Sequence, residues 1–218
     1  VAVLAAAAGA AWLVLRWPDV AALADKDPTT SAFMDAARRR GDEVAWRWVP
    51  YDRISPEVKK AVVAAEDMSF FSHNGFDAHE LRAAAREAAA GKRVRGASTI
   101  TQQLAKNLWL SPSRSPLRKL EEAVLTWQLE RSLSKKRILE LYLNLAQLGP
   151  DVWGVGAAAA RYWGVPAAAL DAHQAAELAA SLPRPTTWHP GVTSRGYAAA
   201  AARVRERAAR AAWLDELL

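Results

Sequence analysis

The apolar and polar positions divide the chain into an uncharged opening run and a series of short helical periods. Residues 1–15 read VAVLAAAAGAAWLVL, and Arg16, Trp17 and Pro18 follow. A membrane span needs roughly 20 apolar residues. The run is therefore read as a partial N-terminal transmembrane helix over 1–17, with Trp12, Arg16 and Trp17 suited to an interface. A cleaved leader and a buried core helix are the rival readings. Residues 18–45 read as a linker and a juxtamembrane helix, periodic from Phe33 to Arg40 and ending near Gly41. The alternation in VAWRWV, residues 44–49, predicts a short strand ended by Pro50.

Beyond Pro50 the period is that of helices. Ser55-Pro56 starts one that runs to Glu66-Asp67, with serine as cap and proline in the first turn. Asp77 caps another over 78–90. GKRVRG, residues 91–96, reads as a basic loop between two glycines. Residues 98–108 form a polar helix, and a long helix runs from Pro116 to Leu133. Ser134 caps the next, whose buried positions are Ile138, Leu139, Tyr142 and Leu143. The helix from Gly154 to Trp163 is built of small residues that permit close packing. Asp171 caps a helix to Ala180, and 195–218 is helical with arginines on its exposed side. No period of 20 to 50 residues appears. The pattern predicts one mostly α domain over 46–218, in two lobes with a cleft between them.

Composition narrows this only a little. The 218 residues contain no cysteine, which excludes disulfides, thiolate nucleophiles and Cys-ligated zinc. Much of the 51% hydrophobic content is alanine, a strong helix former that buries little area. The net charge of +6 favours an anionic partner without saying which. A nucleic-acid partner is not expected, because aromatic residues do not interleave with the basic ones.

Two carboxylates and a run of cations are the candidate chemistry. Glu66 ends an apolar helical run, AVVAAED, where the helix dipole disfavours negative charge and apolar neighbours raise a carboxyl pKa. That suits a general base, although a Glu-Asp pair ending a helix is also ordinary surface chemistry. Glu122 lies one turn after Arg118, which an i,i+4 ion pair would explain equally well. The helix at 98–107 is harder to explain away. Ser98, Thr99, Thr101, Gln102, Gln103, Lys106 and Asn107 leave it little to bury, so it suits the wall of a polar groove. Lys92, Arg93, Arg95, Lys106, Arg114, Arg118 and Lys119 fall between Gly91 and Leu120 without an acid. Such a cluster beside hydroxyls suits a diphosphate.

Five long segments, in order, resemble the monofunctional biosynthetic peptidoglycan glycosyltransferases. They are AAEDMSFFSHNGFD at 64–77, RGASTITQQLAKNLWL at 95–110, RKLEEAVLTWQLERSLSKKRILELYLN at 118–144, GVGAAAARYWG at 154–164 and ELAASLPRPTTWHP at 177–190. The resemblance implies a lysozyme-like, two-lobed helical fold with a central cleft. It implies polymerisation of lipid II, with the growing chain leaving undecaprenyl diphosphate for the 4-hydroxyl of the incoming N-acetylglucosamine, and with inversion from α to β. By motif, Glu66 corresponds to the general base and Asp67 to an acid that orients it. Glu122 corresponds to a group assisting diphosphate departure, directly or through a divalent cation such as Mg2+ or Mn2+. Lys106 and Arg114 correspond to donor-phosphate ligands, with Arg118 and Lys119 adding to their field. Ser98, Thr99, Gln102, Gln103 and Asn107 correspond to the cleft-lining motif. The partners implied are lipid II, the lipid-linked glycan, membrane lipid and other cell-wall synthesis proteins. The implied location is single-pass in the bacterial inner membrane, with the catalytic domain on its outer face.

Some positions depart from the family pattern. Gln147 replaces a frequent acid, Trp163 a usual phenylalanine, and Ala78-His79 a tryptophan-acid pair. His73 reads as a hydrogen-bonded structural histidine. A lysozyme-like lytic transglycosylase or muramidase is the alternative within the same fold. The matches to S-x-x-K at Ser132–Lys135 and S-x-N at Ser72–Asn74 fall inside the motifs above, and no K-T-G accompanies them, so no transpeptidase is expected.

Overall fold

Side-chain caps set most of the helix starts in the computed structural model, which describes residues 17–91, 98–111 and 115–218. Ser31 accepts from Met34 N and opens α1, Ala32–Arg39. Ser55, followed by Pro56 in the first turn, opens α2, Pro56–Glu66. Asp77 accepts from His79 N and Glu80 N and opens α3, Ala78–Ala89. Thr99 and Gln102 form a reciprocal capping box at α4, Ile100–Trp109. Ser115 and Pro116 start α5, Pro116–Ser132, and Ser134 starts α6, Lys135–Leu145. After α7, Gly154–Trp163, a second capping box joins Asp171 to Gln174 at α8, Ala172–Ser181. Ser194 caps α9, Arg195–Arg210. Each cap satisfies a helix-terminal N–H that would otherwise lack a partner.

The strand expected over 44–49 is only two residues long. β1, Ala45–Trp46, pairs in parallel with β2, Val152–Trp153, in the register Ala45 to Val152 and Trp46 to Trp153. The residues after β1 find a side chain instead of a ladder. Buried Asn144 accepts from Val49 N at 2.8 Å and donates to Val49 O at 2.9 Å. Close packing on α7 explains its small residues: a Cβ at Gly156 would come within 2.5 Å of Arg47 O.

Packing sorts the helices into two groups around one continuous core. In one group α2 lies against α8 and α9. In the other, α4 lies against α1, α5 and α6, and α6 against α7. Trp153, Tyr142, Phe70 and Met34 are the largest side chains fully buried between them. The last segment, expected as one helix to 218, breaks at Arg210 and folds back as a 3-10 turn, Ala212–Glu216. Leu214 is buried there, and Lys60 pairs with Asp215 at 2.7 Å. The segment expected as a linker also lies on the body: the Trp17 indole donates to Gln128 Oε1 at 2.6 Å, and Arg137 Nε donates to Leu23 O at 2.7 Å.

The mostly helical, two-lobed architecture is the one expected, but the membrane-spanning part of that expectation is corrected. Residues 1–16, which carry it, lie outside the described residues. Among the described residues no helix is long and apolar enough to cross a membrane. The longest, α5, has 17 residues, and charged side chains recur along it, where a span needs roughly 20 that are predominantly apolar. The single-pass inner-membrane location rested on that span and is corrected with it.

Candidate active site

Glu66 is the last residue of α2, at the mouth of a cleft of about 880 Å³. The cleft wall includes Glu66, His73, Ser98, Arg82, Arg207 and Trp213. Glu66 is half-buried: protein packs closely around its carboxylate, which still reaches the cleft. Burial pushes its pKa up, and the negative charge of Asp67 adds to this. A hydrogen bond from Gln103 and the positive charges of Lys106 and Arg207 oppose the rise. Gln103 Nε2 donates to Glu66 Oε2 at 2.7 Å, and the Tyr142 hydroxyl donates to Gln103 Oε1 at 2.8 Å.

Asp67 is buried beside Glu66, in the lining of the same cleft. Its Oδ2 accepts from Ile100 N at 3.0 Å, at the positive end of α4. His73 Nδ1 accepts from Gly75 N at 3.0 Å, so the proton sits on Nε2, which donates to Asp67 Oδ1 at 2.9 Å. Asp67 thus ties the end of α2, the 68–76 turn and the start of α4 together, directly beside Glu66. Thr99 Oγ1 donates to Gly75 O at 2.7 Å and locks the same turn to α4.

Glu122 is buried in the first half of α5. Arg118 Nη1 holds its Oε2 at 2.9 Å, and Lys119 Nζ its Oε1. Lys106 feels the charge of both carboxylates. Burial lowers its pKa, the negative charges of Glu122 and Glu66 raise it, and Arg118 and Lys119 lower it. One ammonium therefore lies within electrostatic reach of both acids, with Arg118 and Lys119 on the Glu122 side.

The polar helix divides its residues between two uses. Thr99 and Gln102 are buried in the capping box, with Thr99 also in the cleft lining, and Thr101 donates to Glu130 Oε1 at 2.5 Å. Ser98 is exposed on the cleft wall, Gln103 reaches Glu66, and Lys106 and Asn107 are half-buried. Arg114 and the basic residues 92–95 lie outside the described residues.

The donor set at Glu122 does not fit a divalent ion. Among the described residues no group of three or more His, Cys, Asp or Glu side chains could hold one. Glu122 is a single carboxylate with a cation on each oxygen, whereas hard divalent ions take several oxygen ligands.

Three residues near the base were not read as site residues from the sequence. Arg207 on α9 and Trp213 after it bring the end of the chain to the cleft, and Arg207 Nη1 reaches Ala65 O at 3.5 Å. Helical period placed the α9 arginines on an exposed side but could not show that one of them faces Glu66. Tyr142 was legible as buried, but its hydroxyl partner lies 39 residues away in sequence.

The family model described as Transglycosylase matches residues 34–212. The chain belongs to the transglycosylase family. Its relatives include the biosynthetic peptidoglycan transglycosylase of Azoarcus sp. (strain BH72), 45% identical over 205 residues, covering 91% of this chain and 88% of that protein. The protein of the same description from Laribacter hongkongensis is 48% identical over 166 residues, covering 73% of each. That from Aromatoleum aromaticum is 44% identical over 202 residues, covering 89% and 85%. The family match runs from α1 to the turn after α9, so Glu66, Lys106, Glu122 and Arg207 all belong to the transglycosylase fold itself.

Proposed function

We propose that this transglycosylase polymerises lipid II with Glu66 as the general base and the cations around Glu122 as the seat of the leaving diphosphate. The observation that carries the reading is Glu66 in the cleft, bonded to Gln103 on α4, with Glu122 and its two cations on α5 packed against that helix. Glu66 takes the proton from the 4-hydroxyl of the acceptor N-acetylglucosamine. The freed oxygen attacks the anomeric carbon of the lipid-linked chain, the bond to the diphosphate breaks, and the configuration inverts from α to β. Burial raises the Glu66 pKa, which makes the ionised carboxylate a stronger base toward a weakly acidic hydroxyl.

The leaving group needs positive charge more than a proton, because its negative charge grows as the bond breaks. Lys106, Arg118 and Lys119 supply that charge, and Arg114 is the further donor the sequence indicates. Arg118 Nε is buried without a hydrogen-bond partner among the described residues, so this guanidinium keeps a donor unused by Glu122. Glu122 acts by holding Arg118 and Lys119 in place. Removing it would leave two cations free to separate. No step is assigned to a metal ion.

The lipid-bearing side of the reaction has a counterpart on α5. Leu117, Leu120, Val124 and Trp127 recur at helical spacing and are all exposed. Arg131 lies over the Trp127 ring at 5.1 Å, and Lys119 stands on the same helix. The chain enters the described body at Trp17, bonded to Gln128 next to Trp127. An apolar stripe flanked by cations suits the surface of an anionic lipid layer. This is contact with a surface and not a span.

The deciding experiment is Glu66→Gln assayed with purified lipid II, read as polymer formed. The expected outcome is loss of polymerisation with an unchanged fold and retained lipid II binding. Turnover close to the wild type would sink the base assignment.

A further inference from the structure

We propose that Tyr142 is a positioning residue for the reaction: from the core of α6 it fixes which end of the Gln103 amide faces Glu66. The inference rests on Glu66 being the base. Tyr142 is 1% exposed and belongs to the second helical group, and its ring makes no part of the cleft wall. Its hydroxyl meets Gln103 Oε1 at 2.8 Å, and Gln103 Nε2 meets Glu66 Oε2 at 2.7 Å.

The direction of this chain follows from what each group can do. An ionised carboxylate only accepts hydrogen bonds. Gln103 must therefore offer its N–H2 end to Glu66, and its carbonyl end is left facing Tyr142. A carbonyl only accepts, so the phenol must donate. Tyr142 keeps its proton throughout: burial, with the negative charges of Glu66 and Asp67, pushes its pKa well above the ordinary range. Donation into the amide carbonyl polarises the amide and strengthens its N–H as a donor to the carboxylate. It also disfavours rotation of the amide by half a turn, which would present a carbonyl oxygen to Glu66 and repel the ionised base.

Without the hydroxyl, Gln103 loses its anchor and Glu66 loses part of the interaction that favours its charged form. The other charged groups around Glu66 remain: Asp67 beside it with its partner His73, Lys106 on α4 and Arg207 on α9. The base then ionises at higher pH. The defect should therefore be largest at low pH and shrink as the pH rises, which a general loss of structure would not produce.

The test is Tyr142→Phe, which preserves the ring and removes one oxygen. Its kcat/KM for lipid II is measured across pH, with thermal unfolding as a control. We expect a folded variant whose acid limb is displaced upward by roughly half to one pH unit, giving about three- to tenfold lower kcat/KM on that limb, the equivalent of one hydrogen bond. In a Gln103→Leu background, Tyr142→Phe should add no further loss, because the residue through which it acts is gone. A Tyr142→Phe profile that superimposes on the wild type overturns the inference. So does a pH-independent loss that adds in full to that of Gln103→Leu. Glu66→Gln, run alongside, separates the two readings. If it is inactive while Tyr142→Phe behaves as wild type, only the positioning role fails. If it turns over normally, the base assignment beneath it fails.

Discussion

At the scale of single residues, the site is an arrangement of charges around one carboxylate. Glu66 is pushed up by burial and by Asp67, and held down by Gln103, Lys106 and Arg207. Arg207 is the member of this set that the sequence motifs do not mark. Because Glu66 works in its ionised form, any cation lost from its surroundings raises its pKa and moves the acid limb of kcat/KM to higher pH. Arg207→Gln should produce that displacement, with the rate recovering at alkaline pH, and a pH–rate profile on lipid II checks it. An unmoved limb would mean that Arg207 is screened from the base by the water of the cleft. The residue types were legible in the sequence: a carboxylate at the end of an apolar helix, another one turn from an arginine, and cations between them. Their neighbours were not. Arg207 lies 141 positions after Glu66 in the chain, and nothing in local period encodes a contact across that separation.

At the scale of elements, the 67–77 turn holds the base where α2 ends and α4 begins. It is fastened by Asp67 to Ile100 N, by Gly75 O to Thr99, and by His73 to Asp67. Gly75 sits at φ +86°, and a Cβ there would come within 2.7 Å of Thr126 Cγ2 and 3.0 Å of Glu130 Cγ on α5. Both the backbone conformation and the close approach require glycine. Gly75→Ala should destabilise the fold by about 2–4 kcal/mol, combining positive-φ strain with overpacking. Chemical denaturation measures this, and a loss below about 0.5 kcal/mol would show that the turn yields freely. Helix starts were the most legible elements, because serine and aspartate caps are local signals. The end of α9 and the shortness of β1 were not. The first is set by Leu214 folding back into the core. The second is set by Asn144, which takes over the hydrogen bonds that a longer strand would have made. The polar helix α4 was read as a groove wall, and Ser98 and Thr99 at its start do line the cleft, whereas Thr101 is spent on Glu130 and Gln102 on the cap. A polar side chain looks the same in sequence whether a ligand or the protein's own backbone satisfies it.

At the scale of the whole molecule, the two helical groups meet along the line that carries the chemistry. α2 brings Glu66 from one group, while α4, α5 and α6 bring Gln103, Lys106, Glu122 and Tyr142 from the other. The relation of base to leaving-group cations therefore depends on how the groups pack. The outer face of the second group carries the stripe of Leu117, Leu120, Val124 and Trp127. A lipid-linked substrate must pass from a lipid layer into the cleft, and a protein of net charge +6 is drawn to an anionic layer before any specific contact forms. The stripe then adds apolar area, about 25 cal/mol for each Å² removed from water. Replacing both Leu120 and Trp127 by glutamate removes that area and sets negative charge against the headgroups. Sedimentation with vesicles containing anionic lipid should show binding reduced by roughly tenfold or more, as the loss of one or two partly inserted side chains implies. Polymerisation of lipid II in such vesicles should fall in parallel, while polymerisation in detergent micelles, where no extended surface has to be found, should change little. Undiminished vesicle binding would remove the lipid role of the stripe and leave net charge as the means of approach. A parallel fall in micelles would place Leu120 and Trp127 in the handling of the substrate itself.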